Sequence, residues 1–160
     1  MIEEQGLADQ ALLKYYERKQ CSEQWSGFVG VFIDELLRSA GERDAHAFLR
    51  HIGSRLAQSL ELGQHDTVES LEDAMNRHWD QLDWGVVSLG ERDNRMLIRH
   101  SGYPLPASLI DAERARAGMA AVLEGVYGTW LEKQSGESSI PLRSAASSQR
   151  RVLEFFYGRY

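Results

Sequence analysis

Apolar residues recur every three or four positions through most of this chain, and the longest such pattern ends in Met119-Ala-Ala-Val-Leu-Glu-Gly-Val-Tyr-Gly-Thr-Trp-Leu131. Met119, Val122, Leu123, Val126, Tyr127, Trp130 and Leu131 share one face of a predicted helix. Gly125 and Gly128 interrupt it, each at up to about 1 kcal/mol relative to Ala. Close approach of another backbone to a face without side chains would offset that penalty. Gly125, Gly128, Tyr127 and Trp130 are therefore candidates for close packing or for a contact between subunits. The rest of the pattern reads as cover for this helix.

Three helices precede it. The rows Phe28/Phe32/Leu36 and Val29/Ile33/Leu37 give the first a wide apolar face, stopped by Gly41. Asp44 is placed to cap the second, in which Phe48, Leu49, Ile52, Leu56 and Leu60 recur before Gly63. Asp66 with Glu69 resembles a capping box ahead of the third, which carries Leu71, Met75, His78, Trp79 and Leu82 on one side. All three faces read as core. Residues 1–24 form an N-terminal arm instead. Its stripe of Ala8, Ala11, Leu12, Tyr15 and Tyr16 is narrow, and a short helix of this kind is marginal alone in water.

At Trp84 the period changes from helix to strand. Trp84–Leu89 and Arg95–His100 flank the turn residues Gly90–Asn94, which predicts a hairpin with a loop of about five residues. Gly102, Pro104 and Pro106 make a rigid linker, and Ser108 with Asp111 opens the long helix. A weak strand at Ile140–Arg143, a polar loop at Ser144–Gln149 and a strong strand at Arg151–Tyr157 form a second hairpin. The expected fold class is α+β: N-terminal helices and one long later helix packed on a small antiparallel sheet of about four strands, with residues 25–160 as a single domain.

Composition narrows the functions. A net charge of −6 disfavours an electrostatic grip on nucleic acid, and no apolar run is long enough for a membrane span. The acidic start, Met1-Ile-Glu-Glu-Gln, is not a secretory signal, so the expected location is cytoplasmic. The single cysteine, Cys21, excludes an intrachain disulfide. No nucleotide-binding, hydrolase or zinc-protease motif is present, and the five histidines are scattered. His46 and His51 fall on different sides of a helix, and His78 reads as a core-edge residue. No catalytic residue, metal site or cofactor is assigned. Tyr15, Tyr16 and Trp25 are candidates for stacking on an uncharged sugar or for contact with a protein partner, because aromatic rings pair a flat apolar body with a polar handle.

From Trp84 to Leu131 the motifs combine into a resemblance. Trp84-Gly-Val-Val-Ser-Leu89, Arg99-His100 running into Tyr103-Pro-Leu-Pro106, and Val122-Leu-Glu-Gly-Val-Tyr-Gly-Thr-Trp130 together resemble the D subunit of bacterial cellulose synthase. Val126 ahead of the aromatic is a small departure. Upstream, Gly53-Ser-Arg-Leu-Ala57 is similar to the family's Gly-x-x-hydrophobic-Ala segment. The resemblance runs from about Trp25 to the C-terminus and leaves residues 1–24 unmatched.

That resemblance implies a non-enzymatic accessory subunit that assembles as a homo-octamer, a ring of dimers, and aids glucan export and crystalline cellulose formation. Its implied partners are other cellulose synthase subunits, proline-rich accessory proteins and glucan chains. The periplasmic face of the complex is the alternative to a cytoplasmic location. A different class fits the same helix-on-sheet architecture: a small-molecule or lipid sensor or adaptor with a buried apolar pocket.

Overall fold

Helix signals open the chain and strand signals punctuate its second half, and the computed structural model keeps that order. It contains α1 (Ile2–Gln20), α2 (Glu23–Ala40), α3 (Glu42–Ser59), α4 (Val68–Leu82), β1 (Val86–Arg92), β2 (Arg95–Ser101), α5 (Ala112–Ser135), β3 (Leu142–Ala145) and β4 (Val152–Tyr157). Residues 2–147, 149 and 151–159 are described. Met1, Ser148, Arg150 and Tyr160, which belong to the predicted arm, second-hairpin region and domain end, lie outside them. The fold is α+β, with one four-stranded antiparallel sheet in the order β1-β2-β4-β3.

α5 is the axis of the molecule. Ala115, Met119, Leu123, Val126, Tyr127, Trp130 and Leu131 are all buried along it, and Ala121 and Val122 are buried on a further side. A helix apolar on so much of its circumference belongs in an interior. One side packs with the sheet and α4 through Trp79, Ile98, Tyr103 and Phe155. The other meets Ile33 and Leu37 of α2 and Ala45 and Leu49 of α3. Gly136, in the left-handed conformation at φ 71°, ends it by donating to the Glu132 carbonyl.

Several local expectations shift. The first hairpin turns on two residues, not five: Asp93 and Asn94 both take positive φ (56° and 58°), and Arg92 pairs with Arg95. That is the geometry a tight two-residue hairpin needs, and short Asx side chains tolerate it. β1 begins at Val86, because Gly85 at φ 86° turns the chain out of extended conformation after Trp84. Thr67, not Asp66, caps α4, its side chain accepting from the Ser70 amide. Asp44 lies inside the first turn of α3, which starts directly after Gly41, and α3 ends at Ser59, four residues before Gly63. β3 extends through Ala145, so Ser144 and Ala145 belong to a strand and not to the loop.

The free edge of β1 is covered from α4. Asn76 donates its amide to the Val87 carbonyl and accepts from the Val87 N–H, both at 2.8 Å. Glu72 accepts from the Leu89 N–H at 2.7 Å. Side chains thus take the hydrogen bonds that a fifth strand would otherwise make.

Candidate functional site

Three of the four close-packing candidates, Gly125, Tyr127 and Trp130, are buried within one chain, and Gly128 is partly exposed. A methyl group on Gly125 would sit 2.0 Å from the Arg50 carbonyl oxygen of α3, and one on Gly53 would sit 1.9 Å from the Val122 carbonyl oxygen of α5. The two glycines face each other's helices, so α3 and α5 cross backbone to backbone within one chain. Gly128 meets no such neighbour; the nearest atom is a Leu142 methyl at 3.8 Å. Tyr127 and Trp130 belong to a buried aromatic group with Trp79 and Phe155, with ring centroids 5.2–6.0 Å apart.

Every polar tip in that group is used. His100 Nε2 lies 2.6 Å from the Trp84 carbonyl, which only accepts, so Nε2 carries the hydrogen. Nδ1 then accepts from the Tyr127 hydroxyl at 2.6 Å, and that oxygen accepts from Trp79 Nε1–H at 3.1 Å. Trp130 donates to the Leu60 carbonyl. Burial pushes the His100 pKa down to about 4 and the Tyr127 hydroxyl well above its usual range. Both stay neutral and sealed from solvent. His78 stacks on Trp130 and pairs its Nε2 with the Glu61 carbonyl, at the edge of the core.

Trp25, by contrast, falls within α2 and stands at the mouth of a groove of about 840 Å³. Its walls are α2, α3 and the segment holding Pro104 and Pro106, and its apolar lining includes Trp25, Phe32, Phe48, Ile52 and Leu82. The volume suits a small ligand, but the groove is open to solvent along its length, with Trp25 59% exposed and Phe48 and Ile52 both exposed. Only Arg55 among its lining residues is charged. Cys21 also lines it, and burial raises the thiol's pKa, which keeps it protonated and a poor nucleophile.

Tyr15 and Tyr16 lie on α1, edge to face with each other and both exposed. They do not meet Trp25. α1 is held at its C-terminal end by Arg151, which donates to Glu17 at 3.3 Å and Gln20 at 2.9 Å while also binding the Tyr103 carbonyl at 3.1 Å. Leu7, Leu12 and Leu13 remain exposed along the helix.

The expectation that both rows of α2 are core is corrected here. Val29, Ile33 and Leu37 turn inward, whereas Phe28 is 66% exposed and Phe32 is exposed as well. Two adjacent rows on one helix exceed what one neighbouring helix covers, and that surplus width was the available signal. Phe48, Ile52 and Leu82 are likewise exposed, so the apolar faces of α3 and α4 spill onto the surface. Gly30, whose missing methyl would lie 2.4 Å from the Pro106 carbonyl, gave no separate signal in its apolar run. Among the described residues, no cluster of three or more His, Cys, Asp or Glu could hold a metal, and no helix is long and apolar enough to cross a membrane.

Residues 11–158 match the family of cellulose synthase D subunits. Cellulose synthase operon protein D of Komagataeibacter xylinus is 30% identical over 114 residues, 70% of this chain and 72% of that protein. The protein of the same name from Komagataeibacter sucrofermentans gives the same identity and coverage.

Proposed function

Because the chain belongs to the family of cellulose synthase D subunits, we propose that it is a non-enzymatic accessory component of a cellulose synthase complex that works by self-assembly. The observation that carries this is area. An 18.2 kDa monomer is expected to expose about 8,100 Å². This chain exposes 10098 Å², about 2,000 Å² more, which is the scale of each partner's share in an obligate interface. Exposed apolar side chains concentrate on α1 and the groove, among them Leu7, Leu12, Tyr16, Trp25, Phe48 and Ile52.

A non-catalytic role is supported by where the perturbed groups sit. His100 and Tyr127 hydrogen-bond within the core, and the groove offers one charged side chain and a protonated thiol. The assembly is proposed to be a homo-octamer, a ring of dimers, that orders glucan export beside other synthase subunits and proline-rich partners. The groove around Trp25 has few groups to hydrogen-bond sugar hydroxyls, and Tyr15 and Tyr16 stand in an apolar stripe of α1, so all three are proposed as protein contacts in preference to glucan platforms. A cytoplasmic location is proposed as well, and a phosphatase fusion active only in the periplasm tests it.

Light scattering of the purified full chain should give eight times the mass of one chain, and a monomer would overturn the reading. Deleting residues 1–20 should leave the body folded, with a nearly unchanged melting temperature for the single chain in dilute solution, while cellulose-producing cells make less or poorer cellulose. Normal cellulose from the truncated protein would remove the arm from the mechanism.

A further inference from the structure

Two apolar surfaces of this chain stand exposed, the stripe of α1 and the groove between α2 and α3. We propose that α1 of a second copy lies in the groove between α2 and α3, with the exchange made reciprocally about a twofold axis. The proposal rests on the reading of the chain as an assembling subunit and names the surfaces that build its dimer.

The orientation of α1 is the first argument. At 3.6 residues per turn, Leu7/Ala11/Tyr15 and Ala8/Leu12/Tyr16 form two adjacent rows on one side of the helix. Glu17, gripped by Arg151, falls on the opposite side, while Gln20, its other partner on α1, continues the Ala8/Leu12/Tyr16 row one turn on. The grip lies at the C-terminal end of the helix, and Leu7, Leu12, Tyr15 and Tyr16 stay exposed along the rest of it. Nothing in its own chain covers that stripe, and an isolated helix of this length is marginal in water without a partner.

Shape and charge give the second. Binding of a helix in a groove uses anchors at spacings of three, four and seven, which the two rows supply. Ala8 and Ala11 lie within the stripe and permit close seating. From Leu7 to Tyr16 the stripe runs about 13 Å, and the stretch of α3 that lines the groove, Phe48 to Ser59, runs about 16 Å. Glu4 stands one turn beyond Ala8 on the same side of α1. Arg55, the groove's charged residue, makes no ion pair among the described residues, so the arm brings a carboxylate to the one cation that awaits it. A reciprocal exchange covers arm and groove on both copies at once, as a twofold interface requires.

Complementation tests the exchange. Leu12→Glu with Tyr16→Glu disables the arm, and Phe48→Glu with Ile52→Glu disables the groove. All four positions are exposed in the single chain, so each variant should stay folded, with the parent's far-ultraviolet circular dichroism. Separately, each should lose the exchange and run at a smaller mass than the parent. Mixed in equal amounts, they should gain mass over either variant alone, because the mixture retains one intact arm and one intact groove. A mixture that gains none overturns the exchange, as does either variant that keeps the parent's mass. If the parent is itself a monomer, the assembly reading fails first; an assembled parent whose variants do not complement sinks the exchange alone.

Disulfide trapping is independent of those charges. In a Cys21→Ser background, Leu12→Cys combined with Phe48→Cys or Ile52→Cys should give a two-chain band on oxidation, and Leu12→Cys alone should not. Crosslinking by Leu12→Cys alone would mean that arm pairs with arm. No crosslink from either combination would leave the groove to another occupant, and both results overturn the proposal.

Discussion

The aromatic residues of this chain fall into two regions of opposite character. Around α5, Trp79, Tyr127, Trp130 and Phe155 are buried with their polar tips satisfied by partners in the same chain. On α1 and α2, Tyr15, Tyr16, Trp25 and Phe28 meet one another only in exposed pairs. Composition does not separate the two sets. Closure does: the interior group has a hydrogen-bond partner at each polar tip, on Trp79, Tyr127 and Trp130, and lies beside a helix crossing too tight for a methyl group, whereas the surface group ends at solvent. The first region specifies the folded chain, and the second is apolar area available for another molecule.

Substitutions can break that contrast, and the largest effect is expected at the crossing. Gly125→Leu forces a side chain into the backbone of α3 and should unfold the chain, at about 4 kcal/mol or more. A thermal melt by circular dichroism reads it. A folded variant with altered mass would instead place Gly125 between subunits. Next comes acid. His100 has a folded pKa of about 4 against 6.5 unfolded, so between these values the unfolded chain binds the extra proton. The stability it secures is present above pH 6.5 and is lost as pH falls toward 4, up to about 3 kcal/mol. Urea midpoints across that window should show the loss in the parent and a smaller one in His100→Gln.

Tyr127→Phe leaves His100 Nδ1 and Trp79 Nε1 without their partner and should destabilise by about 2–3 kcal/mol. Its urea midpoint should drop with an unchanged m-value. Gly128→Ala should act in the opposite sense to Gly125→Leu: with 3.8 Å of clearance it gains up to about 1 kcal/mol of helix propensity. The smallest effect belongs to the outer region. Phe28→Ser should move the stability of the single chain by less than about 0.5 kcal/mol, measured on diluted protein, and a larger loss would return Phe28 to the core.

The fold was largely legible because periodicity reports burial directly: Met119–Leu131, Val29/Ile33/Leu37 and Val152–Tyr157 sit inward or in strands as their spacing implies. Caps and turns were less so. Thr67 and Asp66 are both good capping residues, and only the path of the chain chooses between them. Asp93-Asn94 was visible as turn chemistry, yet its length depended on how far β1 and β2 continue to pair. The groove was hidden for a stronger reason. A row such as Phe28/Phe32 reads identically whether its cover is in the same chain or in another. Gly125 and Gly128 look alike in sequence for a related cause, since a glycine does not say which neighbour approaches it.

Gly41, the single residue between α2 and α3, has one more consequence. At φ 80° it sets the angle of a hinge that cannot swing freely, because α2 is pinned at Gly30 by Pro106 and α3 at Gly53 by α5. Close backbone contacts on both walls thus favour one groove width before anything enters it. An occupant loses little affinity to rearranging the walls, and a rod thicker than that width is turned away.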